Sequence, residues 1–246
     1  MMRDDFHKLF KSPGPVVLPV IHVLDTPRTL RNLREVIAAG AGGSFLINHD
    51  FAPDAFLPII RDVRRRYPSV WIGVNFLGVT GKDAFKMLAE LEAEGCTVDA
   101  YWADDACIDE NGENVEAREI AEAYQNSGWR GLYFGGTCFK KQRVVAPERY
   151  ADAAREACAF MDVVTTSGVA TGQEADLGKI RTFRQAIGKQ TLAVASGVTP
   201  ENAASYADVD CFMVATGINE PDNFYDISPT RLAKLIQVTR HMGKGD

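Results

Sequence analysis

Short apolar runs alternate with amphipathic stretches from residue 16 to the end, and this alternation constrains the fold more than any other feature of the chain. The runs fall at 16–23, 44–48, 70–76, 100–103, 131–134, 163–166, 192–195 and 211–215. They are near-continuous, as strands of a parallel sheet are when helices cover both faces. Helical periodicity fills 28–39, 53–67, 81–94, 114–127, 147–160, 176–187, 200–207 and 229–241. Pro53, Pro147, Pro200 and Pro229 suit first helical turns, with Thr199 and Ser228 as candidate N-caps. Gly40, Gly95, Gly128 and Gly188 suit the left-handed position that ends a helix.

The strand–helix units recur about every 30 residues, the last interval shortening to about 19. This pattern predicts an α/β fold, a single-domain (β/α)8 TIM barrel over 16–246, preceded by a short helix or arm over 1–15. A doubly wound open sheet is the alternative, disfavoured because no G-x-G-x-x-G follows the first strand.

A net charge of −6 argues against a nucleic-acid partner or an anionic membrane surface, while leaving room for a small anionic ligand at a local site. The five cysteines are scattered, with no C-x-x-C, which suits a reducing compartment and offers no zinc spacing. The first 15 residues are too charged for a signal peptide, and no apolar run approaches the roughly 20 residues that cross a bilayer. The expectation is a soluble cytoplasmic protein without membrane insertion, with homo-oligomerisation open because such barrels often pair through their outer faces.

In a barrel of this kind chemistry belongs at the C-terminal strand ends. That rule selects His22 and Asp25; Asn48, His49 and Asp50; Asn75; Asp104 and Asp105; Thr137, Lys140 and Lys141; Thr166, Ser167 and Thr171; Ser196; and Thr216. Asp104 and Asp105 are adjacent on a strand end, so one of them should aim into the mouth. Asp104 with Asn48 and Asp50 would serve acid–base work or hold a hard cation such as Mg²⁺, with Asp50 and Asp104 as the metal carboxylates. His22 is a candidate acid or base, and Asn75 orients substrate. Lys140, Lys141 and Arg143 form the basic group that would neutralise a phosphate or carboxylate. Small turns follow the last three strands: Thr166, Ser167, Gly168, Thr171 and Gly172; Ser196 and Gly197; Thr216 and Gly217. Glycines let backbone amides approach an anion, and barrels often bind phosphate after strands seven and eight. No predicted strand carries a lysine for a Schiff base, and no G-x-S-x-G is present.

Several blocks resemble the BtpA family, which includes the SgcQ-like proteins and is similar to ribulose-phosphate-binding barrels. His22-Val23-Leu24 with Pro27 resembles its H-L-x-x-x-P turn, Asn48 with Asp50-Phe51 its E-N-x-x-D segment, and Gly73-Val74-Asn75 its G-V-N strand end. Thr166-Ser167-Gly168 through Thr171-Gly172 and Asp176-Leu177 is similar to T-G-x-x-T-G…D-L, and the stretch from Ser196 to Asn202 to G-S-G-V-T-x-x-N. The family's lysine after strand eight has no counterpart between Ala215 and Asn219, and the segments after strands four and five differ, which marks a divergent member. The resemblance implies a barrel with a phosphorylated small-molecule ligand. Three functions follow as expectations: lyase- or isomerase-type chemistry on a small anionic metabolite, a non-catalytic binding or assembly factor as the family's namesake implies, and metal-dependent hydrolysis. His22, Asp104 and Asn75 converging on a closed pocket would favour the first; a flat or plugged mouth would favour the second.

Overall fold

A computed structural model describes residues 1–140 and 142–243. Among them, eight parallel strands close into a barrel in chain order, each paired with its sequence neighbours and the eighth returning to the first. This is a single-domain (β/α)8 TIM barrel. The strands are β1 (Val16–Val23), β2 (Ser44–Asn48), β3 (Ile72–Asn75), β4 (Ala100–Ala103), β5 (Leu132–Gly136), β6 (Val163–Thr166), β7 (Thr191–Val194) and β8 (Cys211–Val214). A helix α1 (Arg3–Phe10) precedes them, and the outer layer runs α2 (Thr26–Ala39), α3 (Pro53–Arg66), α4 (Gly81–Ala93), α5 (Val115–Ser127), α6 (Tyr150–Ala157), α7 (Leu177–Ile187) and α8 (Pro229–Met242).

Local chemistry sets the boundaries. Asp25 and Asp176 cap α2 and α7 by accepting the amides of Arg28 and Lys179 at 2.7 and 2.8 Å. Pro53 and Pro229 open α3 and α8, and Gly40 ends α2 in the left-handed region. The helix expected at 200–207 does not form; only a 3-10 turn at Ala203–Ser205 is present. Thr199 caps this turn as expected: its Oγ1 accepts the Asn202 amide at 3.3 Å, and Asn202 Oδ1 accepts the Thr199 amide at 2.7 Å in return.

Side-chain alternation divides each strand between two cores. Val16, Leu18 and Val20 face the barrel interior with Phe45, Ile47, Trp102, Phe134 and Met213, while Val17, Ile21 and Val23 face the helices with Leu46, Val74, Tyr101 and Phe212. Helix α1 plugs the N-terminal end: Phe6 is fully buried in the interior cluster, 4.9 Å from the Phe10 ring and 6.2 Å from that of Phe134. The opposite, C-terminal end carries the open cavity lined by His22. No helix among the described residues is long and apolar enough to cross a membrane.

Candidate functional site

Alternation decides which strand-end residues reach the interior. Beyond the inward Val20 comes His22; beyond Ile47, His49; beyond Trp102, Asp104. These three line an open cavity at the mouth with Lys140, Ser196 and the turns after β6 to β8. The neighbours one position away point elsewhere. Asn48 is buried on the outer side, donating Nδ2 to the Phe51 carbonyl at 2.6 Å and accepting the Leu77 amide at 3.1 Å. Asp105 is exposed and accepts the Cys107 amide at 2.8 Å.

The free space is about 50 Å³. A cavity of roughly 150 Å³ takes a benzene molecule, so this one takes a group the size of a phosphoryl or carboxyl. The rest of any ligand projects through the mouth.

His22 has a fixed tautomer. Its Nδ1 lies 2.8 Å from the Phe224 carbonyl oxygen, which can only accept, so Nδ1 carries the proton and Nε2 the lone pair. Burial is the main reason its pKa falls from 6.5 to about 4; the Phe224 bond acts in the opposite direction, and His49 and Lys140 add to the lowering. At neutral pH this imidazole accepts hydrogen bonds or protons and does not donate from Nε2. The Phe224 ring stacks on it at 3.8 Å, and His49 meets it edge-on at 4.8 Å.

Phe224 belongs to the segment between β8 and α8, which folds back over the end of β1. Asn219 donates to the same Phe224 carbonyl at 2.9 Å, and Asp226 pairs with Arg31 at 2.7 Å. Asp50 is exposed at this edge and accepts the Tyr225 hydroxyl at 2.6 Å, so it stands on the rim outside the cavity. Among the described residues no group of three or more His, Cys, Asp or Glu is arranged to hold a metal ion, so Asp50 and Asp104 gain no third such protein ligand.

Asn75 stands behind Asp104 and donates to its Oδ1 at 3.0 Å, which orients the carboxyl. Gln142 donates to the Asp104 carbonyl at 2.6 Å and joins the loop after β5 to β4. Lys140 lines the cavity from that loop; its Nζ donates to the Ala195 carbonyl at 3.3 Å and its amide to Ser167 Oγ at 2.7 Å. Lys141 lies outside the described residues. Arg143 is drawn away into an ion pair with Glu110.

The glycine turns are nested. A Cβ on Gly168 would sit 2.6 Å from the Gln173 carbonyl oxygen, one on Gly197 2.3 Å from the Gln173 carbonyl carbon, and one on Gly217 1.9 Å from the Val198 oxygen. Each glycine therefore lets a neighbouring loop cross it. Thr171, Gly172, Ser196, Gly197, Thr216 and Gly217 reach the cavity. Thr166, Ser167 and Gly168 do not: Thr166 donates to the Cys138 carbonyl at 3.5 Å, and Ser167 donates to the Gly168 carbonyl at 2.8 Å. Gly197 and Gly217 are buried, and among the described residues neither amide donates a hydrogen bond.

Sequence reasoning passed over Lys179. Its Nζ donates to the carbonyls of Cys138 and Ser167 at 2.5 and 2.9 Å, tying the loops after β5 and β6 together. Burial pushes this ammonium down to about 8. The available signal was Asp176: as the N-cap of α7 it puts Lys179 in the first turn, where a side chain leans back toward the helix start and hence toward the mouth.

No family model and no curated sequence matches the chain. Solved structures share the barrel. A tryptophan synthase alpha chain from Legionella pneumophila subsp. pneumophila has 18% identity, with all of both chains covered and a TM-score of 0.65. A structure described as native KDPGal has 13% identity, covering 92% of this chain and 95% of its own, at a TM-score of 0.64. The phosphoribosyl anthranilate isomerase from Thermus thermophilus has 14% identity, covering 90% and 96%, at 0.57. At these identities the likeness is one of fold: this chain is a (β/α)8 barrel built like theirs.

Proposed function

We propose that this protein is an enzyme of the BtpA-like kind that performs lyase- or isomerase-type proton transfer on a small phosphorylated metabolite. The observation that carries the reading is that the Gly197 and Gly217 turns, whose amides donate no hydrogen bond among the described residues, line the same cavity as Lys140. Two such amides beside an ammonium make an anion site whose charge comes from across the mouth, which offsets the lack of a basic residue in the turns themselves. Thr171, Ser196 and Thr216 supply hydroxyls around it. Two groups able to move protons line the same cavity, His22 through Nε2 and Asp104 held by Asn75. Their convergence on one cavity favours an enzyme over a binding factor with a plugged mouth. Among the barrels of the same fold, one is by name an isomerase of phosphoribosyl anthranilate, a phosphorylated compound.

The test is a thermal-shift panel of phosphorylated metabolites and organic acids, each with and without Mg²⁺. A phosphate compound at about 100 times its Kd adds roughly 2.7 kcal/mol, or some 5–10 °C for a domain of this size. Lys140→Met should shrink that shift. A panel in which no phosphate stabilises the protein removes the anion site from the reading.

A further inference from the structure

A group that fills about 50 Å³ meets every wall of the mouth cavity, so those walls decide which protonation state of a phosphoryl group they accept. The turns after β6, β7 and β8 bring backbone amides and the hydroxyls of Thr171, Ser196 and Thr216, none of which titrates. The titratable groups on the lining are His22 from β1, His49 after β2, Asp104 after β4 and Lys140 after β5. Asp50 stays on the rim, bonded to Tyr225. Among the described residues Lys140 is thus the one ammonium on the lining and Asp104 the one acid. A phosphoryl dianion brings two charges to that single ammonium, with an acidic group on the same wall. A monoanion brings one charge, and with it a P–O–H.

That hydroxyl needs an acceptor, and His22 is held as one. The Phe224 carbonyl takes the Nδ1 proton at 2.8 Å, so Nε2 carries a lone pair and cannot donate. Nε2 has no partner among the described residues, yet it is not shut away as the Trp102 indole nitrogen is. An unprotonated phosphoryl oxygen against Nε2 sets lone pair against lone pair; a protonated one makes a hydrogen bond. Asp104 already accepts Asn75 at Oδ1. Burial keeps the His22 ring neutral down to about pH 4, well below the value of about 6 at which a phosphate monoester gives up its second proton.

Resting on the anion-site reading above, we infer that the cavity selects a phosphoryl group as its monoanion, with the P–O–H donating to His22 Nε2 and the charge facing Lys140 and the Gly197 and Gly217 turns. His22 is then the specificity-determining acceptor, and Asp104 is left to exchange a proton with the rest of the ligand. The same geometry separates phosphate esters from sulfate esters. A sulfate monoester has the tetrahedral shape and the single charge but no proton to give.

n-Propyl phosphate and n-propyl sulfate isolate that proton. Calorimetry on the full chain compares them at pH 8 and pH 6. About one n-propyl phosphate in a hundred carries the proton at pH 8 and about half at pH 6, so the phosphate-to-sulfate affinity ratio should rise by up to about 50-fold. The sulfate does not titrate in this range, so the ratio cancels any change in the charge of His49. His22→Gln, whose amide can turn its NH₂ toward an unprotonated oxygen, should flatten the ratio. On the wild-type protein at pH 6, the His22 ¹⁵Nε2 resonance should move with n-propyl phosphate and barely with n-propyl sulfate, a readout independent of how the variant folds. A ratio unchanged between the two pH values overturns the selection and leaves the anion site standing. A ratio that still rises in His22→Gln, or an unmoved Nε2, overturns His22 as the acceptor. Failure of both esters to bind at either pH overturns the anion site and the selection together.

Discussion

The imidazole of His22 and the ring of Phe224 lie stacked with centroids 3.8 Å apart, and the same Phe224 supplies the carbonyl that takes the His22 Nδ1 proton at 2.8 Å. One residue from the last loop of the barrel thus sets both the solvation and the tautomer of a side chain on the first strand.

Removing the ring should therefore retune the histidine. Phe224→Ala keeps the backbone acceptor and admits water to the imidazole, so the main cause of the depressed pKa is relieved. The His22 ring, followed by NMR over pH 3–9, should titrate near 4 in the wild type and move toward 6.5 in the variant. A histidine still titrating near 4 after ring removal would place the cause elsewhere.

The same shift makes a stability prediction. The folded pKa lies below the unfolded 6.5, so between the two values the unfolded chain binds more protons. The contribution is fully present above pH 6.5 and is lost as pH falls toward 4, an effect on the order of 3 kcal/mol. Urea unfolding at pH 7 and pH 4.5 should show a smaller pH difference for His22→Gln than for the wild type.

At the opposite end, Asp210 anchors α1. Its carboxylate is fully buried and meets Arg184 at 2.5 Å, Arg3 at 2.9 Å and the Leu192 amide at 2.9 Å, with His7 at 3.3 Å. Burial alone would raise its pKa, but the His7 bond and the two arginines hold it below the ordinary aspartate value. Asp210→Ala leaves Arg184 without its buried partner and should cost about 3–5 kcal/mol in chemical denaturation. Because the folded pKa is depressed, the wild-type advantage should persist above pH 4 and fade as pH drops through the folded value.

The fold was legible because a closed parallel barrel writes itself as buried apolar runs at regular intervals, and β1, β2, β4 and β6 fall at their expected residues. Within the site, strand alternation was legible in principle, as the divergence of Asp104 from Asp105 shows. What could not be read was the crossing of loops. Gly168 looked like a ligand-facing turn because its type suits one, yet it lies beneath the loop it starts. Phe224 sits 202 residues from His22, in a segment with no periodicity to locate it. Lys179 went unread because nothing in its neighbours announces two carbonyls waiting 2.5 and 2.9 Å away.

That lysine can be tested directly. Lys179→Met keeps the buried stem but removes the donor of the Ser167 carbonyl and leaves the Cys138 carbonyl only its long bond from Thr166, which should cost about 1–3 kcal/mol. Amide exchange should accelerate in the loops after β5 and β6 and stay unchanged in β1 and β2. Uniform acceleration across the barrel would mean that Lys179 supports the whole fold and not those two loops.

Gly197 offers the sharpest test of the nested turns, because strain and crowding can be separated. Its φ of 62° belongs to the left-handed region, and a Cβ there would also press to 2.3 Å from Gln173. Gly128 shares the positive φ, at 77°, but has nothing within 4 Å of the same atom. Gly128→Ala should thus report conformational strain alone, roughly 1 kcal/mol. Gly197→Ala should cost more than that, because the crossing loop has to lift, and with it the bond from Ser196 Oγ to the Gln173 carbonyl at 2.7 Å. Lifting that loop moves Thr171 and Gly172 away from the cavity, so n-propyl phosphate should bind the variant more weakly. Equal destabilisation in the two variants, with undiminished phosphate binding in Gly197→Ala, would show that the loops do not depend on one another for their position.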